Sequence, residues 1–314
     1  MKSFKSIIKQ LLFKTRFYKL SFLQNRFYII PYHMIVDKPN RFYPETSTRD
    51  FEKQIVHLVK NYKVISLDEI VNRIKNRRSL RRCVAITFDD GFRDNYEIAY
   101  PILKKYNVPA TIFLTTGYIE NGTAPWFIKL RYIFMQTTKT HFNLSHNGTT
   151  ISIPTNTRDG KFAASDKVMA YLKDCPDEER LPLLDRLCEQ LGVNEFKGLN
   201  DLMLTWDQIK EMAGNSISFG AHTVNHPILS RTSVEMAERE IQESKRMVEE
   251  KTGKSATSFA YPFGKKSQYT PQIFPILHEL GFKCSVTTES EPNTHRVNLF
   301  ELNRPVPWEF SVLQ

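Results

Sequence analysis

Short β-branched or aromatic runs alternate with segments of helical periodicity along most of this 314-residue chain, and that alternation restricts the fold more than any other feature. Strand-like runs fall at residues 28–34, 83–88, 110–114, 217–221, 258–261, 282–287 and 300–302. Helical segments fall at 49–61, 67–74, 96–106, 182–191, 206–213, 234–252 and 271–280. Joining strands through helices demands crossover connections, so the strands pair mostly in parallel and the helices lie outside the sheet. The segment 234–252 carries the fullest signature. Thr232 with Glu235 reads as a capping box, Val234, Ala237, Ile241 and Val248 make an apolar stripe, and Gly253 suits the residue just past the end. In such folds chemistry collects at the C-terminal ends of the strands.

Residues 117–200 break the rhythm. They hold an aromatic segment (126–135), a polar run rich in Thr and Asn (137–157) and then a helix pair, which together read as an insertion forming a cap or side lobe. Hydrophobic residues make up 41% and charged residues 25%, which excludes a largely disordered or collagen-like chain. No run of 18 apolar residues is present, so a conventional membrane-spanning helix is excluded.

The 44 Lys and Arg outnumber the 34 Asp and Glu, for a net charge of +10, and the excess is concentrated at the start. Lys2, Lys5, Lys9, Lys14, Arg16 and Lys19 are interleaved with Phe4, Ile7, Ile8, Leu11, Leu12 and Phe13, with no acid among them. Residues 1–25 are therefore read as a basic amphipathic segment, either resting on an anionic membrane surface or packed on the domain. Lys9 and Lys14 interrupt any signal-peptide core. Cys83, Cys175, Cys188 and Cys284 form no C-x-x-C pair. A cytoplasmic protein with reduced thiols, peripheral at the inner face of the membrane, is the expectation. Lys75, Arg77, Arg78, Arg81 and Arg82 make a second basic cluster, read as a solvated loop. No nucleic-acid motif accompanies the charge, and nucleic acid is not expected as a partner.

Three runs carry chemistry. In Ala85-Ile86-Thr87-Phe88-Asp89-Asp90-Gly91 an apolar strand ends in two adjacent carboxylates, which repel unless a cation or proton relieves them. A solvated Asp-Gly turn is the structural alternative. In Gly220-Ala221-His222-Thr223-Val224-Asn225-His226-Pro227 two histidines four apart follow another strand, and a helical turn after His222 would let both face one ion. In Ser258-Phe259-Ala260-Tyr261-Pro262-Phe263-Gly264 a strand enters a Pro/Gly turn that could present a backbone N–H, or simply form an aromatic corner.

In this order the three runs resemble the NodB-type polysaccharide deacetylases, the carbohydrate esterase 4 family. Thr87–Gly91 reads T-F-D-D-G, His222–Pro227 reads H-[ST]-x-x-H-P, and Phe259–Gly264 looks like the F-A-Y-P-[FY]-G third motif of one branch. Pro31-Tyr32-His33 resembles that branch's Y-H opening, and Val108–Phe113 resembles its next core strand. The resemblance implies an α/β fold of distorted (β/α)7-type barrel form, in one domain over 26–314 with its insertion at about 117–200. It implies a metal-dependent hydrolase that deacetylates an N-acetylated sugar of a polysaccharide, oligosaccharide or lipid-linked glycan precursor. Asp90, His222 and His226 become the metal ligands, Asp89 the general base and the Phe263 N–H the oxyanion donor. The divalent ion is expected to be Zn2+, with Co2+, Ni2+ and Fe2+ compatible with the same ligands.

Two family features are missing. Ala260 stands where many members have an orienting Arg, and Arg304 is the candidate replacement. The late L-x-x-H motif that supplies a general acid has no match, which leaves His33 first and His295 second. Trp126, Phe127 and Trp206 are candidates to stack on sugar rings, with core packing as the other reading. An O-deacetylase, or an inactive carbohydrate-binding or scaffolding protein on the same fold, are the alternatives.

Overall fold

A computed structural model describes residues 26–146 and 149–305; the basic segment 1–25 lies outside the described residues. The main sheet runs β1 (Tyr28–Tyr32), β5 (Cys83–Phe88), β6 (Ala110–Leu114), β9 (Ile217–Ala221), β10 (Ser258–Ala260) and β11 (Cys284–Val286), and β4 (Lys63–Val64) joins the start of β5. Every pairing in it is parallel, with Tyr28 opposite Val84 and Tyr32 opposite Phe88 at one edge. The sheet curls into the half-barrel of an α/β fold, as the alternating pattern requires. β5 and β6 are buried at every residue because both faces are covered.

Alternate residues divide the packing. One face holds Ile29, Cys83, Ala85, Phe113, Ala260 and Val286, closed by Leu67, Ile70 and Val71 of α2 (Leu67–Lys75). The opposite face holds Ile30, Val84, Ile86, Phe88 and Ile112, under Phe51, Ile55 and Leu58 of α1 (Thr48–Asn61). Gly220 lets Phe113 fill the first face: a Cβ there would lie 2.6 Å from the Phe113 ring and 2.7 Å from the Ser258 carbonyl oxygen.

Three local expectations need correction. Residues 300–302 form no strand; a single bridge joins Leu302 to Val286. The segment 96–106 is a π-helical turn, Asn95–Ala99, leading into α3 (Tyr100–Lys105), where Pro101 supplies no N–H to an unbroken α-helical ladder. The helix at 234–252 (Val234–Thr252) is capped by Ser233 rather than Thr232. Its hydroxyl accepts the Met236 N–H, which puts Met236 and not Glu235 at the third position, while Gly253 turns left-handed (φ 68°) as expected.

Between β6 and β9 the chain adds α4 (Thr116–Asn121), α5 (Trp126–Gln136), the antiparallel hairpin β7 (His141–His146) and β8 (Thr149–Pro154), α6 (Arg158–Asp174), α7 (Asp177–Leu191) and α8 (Trp206–Ala213). The polar run at 137–157 is thus largely a strand pair. α5 packs against both α6 and α7. Two remaining helices, α9 (Val234–Thr252) and α10 (Ile273–Glu279), flank β9, β10 and β11, and a short pair, β2 (Met34–Val36) with β3 (Glu45–Ser47), extends beyond β1.

Candidate active site

The site lies where β1, β5, β9, β10 and β11 end. After Phe88 the backbone turns sharply, because Asp90 and Gly91 are both left-handed (φ 74° and 82°), a conformation that Asp tolerates and Gly adopts freely. A Cβ on Gly91 would lie 2.9 Å from Leu114, so close packing adds a second reason for glycine. The turn buries both carboxylates, each only 2% exposed.

Asp89 faces the fully buried Arg304, whose two terminal nitrogens each donate to one of its oxygens at 2.6 Å. Arg304 also donates to the Thr287 carbonyl at 2.8 Å and the Thr87 hydroxyl at 3.3 Å, which fixes the guanidinium plane. Burial alone would raise the Asp89 carboxyl, but Arg304 outweighs it and holds the group down at about 2. His33 places Nε2 3.8 Å from Asp89 Oδ2 with its side chain 32% exposed, so it stands between the carboxylate and solvent. His295 has no hydrogen bond or ion pair with these groups among the described residues, and the geometry brings His33 rather than His295 to the site.

Asp90 faces the histidine pair. Its Oδ1 lies 3.5 Å from both His222 Nε2 and His226 Nε2, and one donor atom from each of the three lies within 4.8 Å of the others. Asp90 Oδ1 has no hydrogen-bond partner among the described residues, although it is buried. The Nδ1 of His222 meets the Ala260 carbonyl at 2.7 Å, the contact that leaves the other ring nitrogen free to ligate. Burial first, then the nearby His222 and Lys173, hold His226 well below the ordinary imidazole range, in the neutral form a metal requires. An orphaned buried carboxylate oxygen between two imidazole nitrogens fits a divalent cation.

The two histidines do not converge through a helical turn as expected. Thr223 (φ 66°) and His226 (φ 54°) are left-handed, and the Thr223 hydroxyl accepts the His226 N–H at 3.1 Å. Phe263 is likewise left-handed (φ 58°). Its carbonyl accepts from Thr288 Oγ1 at 2.7 Å, while no acceptor takes its N–H among the described residues.

The aromatic candidates part company. Trp126 is 2% exposed and donates its indole N–H to the His226 carbonyl at 3.2 Å, so it holds the loop between the histidines and is not a sugar platform. Phe127 and Phe263 each pack 4.7 Å from the His226 ring, measured between centroids. Trp206 lies apart, donating to Glu120. Sequence reasoning missed Lys173, which the side lobe places 3.7 Å over the Phe263 ring, and Glu240, a charged residue beside the apolar stripe of α9. Only the position of Glu240 next to Ile241, on the buried face of α9, signalled it in advance.

The model of the family described as polysaccharide deacetylase matches residues 76–285, about two thirds of the chain. YxkH of Bacillus subtilis (strain 168), which is named for the same family, is 23% identical over 278 residues, covering 88% of this chain and 69% of YxkH. A poly-beta-1,6-N-acetyl-D-glucosamine N-deacetylase of Staphylococcus aureus (strain N315) is 43% identical over 74 residues, 23% of this chain and 26% of that protein. Among solved structures, the Streptococcus pyogenes deacetylase PplD in complex with acetate aligns with a TM-score of 0.58 at 23% identity, covering 89% of this chain and 91% of that one. IcaB from Ammonifex degensii aligns with a TM-score of 0.55 at 19% identity, covering 91% and 95%. These two structures share the half-barrel fold. With the motif residues gathered at its strand ends and the family model spanning its core, the chain belongs to the polysaccharide deacetylase family.

Proposed function

We propose that the protein is a metal-dependent hydrolase that removes the acetyl group from an N-acetylated sugar in a polysaccharide, oligosaccharide or lipid-linked precursor. The observation that carries this reading is the ionised Asp89, clamped by Arg304, beside the Asp90, His222 and His226 cluster. Asp90, His222 and His226 would hold the ion, with zinc the first choice and Co2+, Ni2+ and Fe2+ compatible with the same donors. A bound divalent ion supplies Lewis-acid character and lowers the pKa of water.

Each side chain then has one task. Asp89 stays ionised throughout the neutral range and accepts the proton of the attacking water, while Arg304 keeps its oxygens aimed. The unpaired Phe263 N–H is available to the oxyanion that develops from the acetyl oxygen. His33, close to Asp89 and open to solvent, protonates the departing nitrogen. The Staphylococcus aureus relative, a poly-beta-1,6-N-acetyl-D-glucosamine N-deacetylase by name, supports N-acetylglucosamine polymers as the substrates to try first.

Residues 26–314 are proposed as the deacetylase domain, with its insertion at about 117–200. The chain is proposed to work in the cytoplasm, held at the inner face of an anionic membrane by residues 1–20, a location supported by their six cations and lack of acid. Unchanged liposome binding after deletion of that segment would refute the location.

Acetate release from N-acetylglucosamine oligosaccharides tests the activity. The wild-type protein should release acetate. Asp89→Asn should lower kcat by about 1,000-fold or more while circular dichroism stays unchanged, since the base and an Arg304 partner are lost together. Equal release by wild type and Asp89→Asn would sink the assignment of the base, and release from O-acetylated sugars alone would redirect the substrate.

A further inference from the structure

The loop from His222 to His226 carries two of the proposed metal ligands and two left-handed residues, so its shape depends on what binds its backbone. Its carbonyls are taken by the side of the molecule that opens the insertion. Thr116 and Gly117 N–H donate to the Thr223 and Val224 oxygens at 3.2 and 3.0 Å. The Tyr118 hydroxyl donates to Asn225 O at 3.1 Å and the Trp126 indole to His226 O at 3.2 Å. Gly117 can approach only because it lacks a Cβ, which would lie 2.9 Å from the Val224 oxygen.

The loop's N–H groups converge on the other side. The Glu240 carboxylate, 8% exposed on α9, accepts the Val224 N–H and the Asn225 N–H at 2.8 Å each on Oε2, and the Asn225 side-chain amide at 2.7 Å on Oε1. A buried carboxylate satisfied by three N–H groups from two adjacent residues acts as a rigid peg rather than a passive neighbour. Among the described residues it makes no hydrogen bond or ion pair with either imidazole.

We infer that Glu240 is the positioning residue of the metal loop, holding Val224 and Asn225 so that His222 and His226 turn their rings onto one point with Asp90. The inference rests on the metal-dependent reading above. It predicts that Glu240 sets metal affinity without touching substrate, as outer-shell partners of ligating groups commonly do.

Zinc affinity of the purified full chain, measured by competition with a chromogenic chelator, tests it. Glu240→Gln retains the shape but turns an NH2 group toward N–H donors. Its zinc dissociation constant should rise about 10- to 100-fold, kcat should recover at saturating zinc, and KM for the glycan should not move. Asn225→Ala removes one of the three bonds at an exposed residue and keeps the test open if Glu240→Gln fails to fold; it should weaken zinc several-fold. Ser244→Ala, one turn further along α9 at a buried hydroxyl without a partner among the described residues, should leave zinc affinity at the wild-type value. Wild-type affinity in both Glu240→Gln and Asn225→Ala would overturn the inference. A wild-type chain that binds no zinc or other divalent ion would instead overturn the metal-dependent reading itself.

Discussion

A carboxylate with 2% exposure is costly to ionise, and Asp89 ionises because Arg304 meets it with two parallel 2.6 Å bonds. The depressed Asp89 makes a stabilising contribution that is present above the unfolded carboxylate range and is lost as pH falls through about 2. Asp89 is therefore charged throughout the neutral range, as the base proposed above must be. Lysine cannot reproduce the two-pronged contact. Arg304→Lys should lower kcat by about 100-fold through misplacement of the base, with KM nearly unchanged, and steady-state kinetics of acetate release would measure it. A variant with wild-type kcat would show that the bidentate geometry is dispensable.

At this scale, legibility followed sequence distance. Asp89, Asp90, His222 and His226 stood out because each pair sits within one turn at the end of a recognisable strand. The Asp89 partner lies 215 residues downstream, and only the missing Arg at Ala260 suggested looking for it. Glu240 was harder to read, because its carboxylate binds backbone N–H groups and its place on the buried face of α9 was the one mark it left in the sequence.

Buried parallel strands proved the most readable elements. β5, β6 and β9 begin and end where their sequence runs do, since β5 and β6 are buried at every residue and β9 at all but Ser218, which keeps the runs mostly apolar. The elements that escaped were those set by local hydrogen bonding. β4 is two residues long, the polar 137–157 run pairs with itself, and the π-helical turn after Asp94 has no periodicity of its own. That turn begins at a tightly tied point. Asp94 Oδ1 accepts the Ile35 N–H at 2.9 Å and the Asn95 amide at 2.8 Å, and the same amide donates to the His33 carbonyl at 2.7 Å.

Burial pushes the Asp94 carboxyl up to about 7 against these hydrogen bonds. The sign follows from a folded value above the unfolded one. The Asp94 contribution to stability is complete below the unfolded carboxylate range, near 3.9, and is lost as pH rises through about 7. Asp94→Asn retains an acceptor for Ile35 and cannot ionise. Urea unfolding should show wild type losing about 2–3 kcal/mol relative to Asp94→Asn between pH 5 and 8. Parallel pH profiles for the two proteins would contradict that assignment.

For the whole molecule, the half-barrel and the added helices are one working unit. Trp126 and Phe127 of α5 back His226 from one side, Phe263 closes another, and α9 pins the loop between the histidines. The region that looked like an appendage in the sequence thus builds the wall behind His226. The parallel sheet and the strand-end location of the chemistry were readable from alternation alone; the strand order, β1-β5-β6-β9-β10-β11, was not. The lobe's contacts were not, because they join segments about 100 residues apart. Little of the chain's basic excess reaches this centre, which is built from Asp, His and the paired Arg304, with Lys173 acting on His226 from the side lobe.

On the reading proposed above, Asp90, His222 and His226 gather a divalent ion on which deacetylation by Asp89 depends. Zinc titration of chelator-stripped protein, read as acetate released from N-acetylglucosamine oligosaccharides, tests it most directly. The stripped protein should release none, one equivalent of zinc should restore full activity, and His226→Ala should stay inactive at any zinc concentration. Undiminished acetate release from the stripped protein would contradict it.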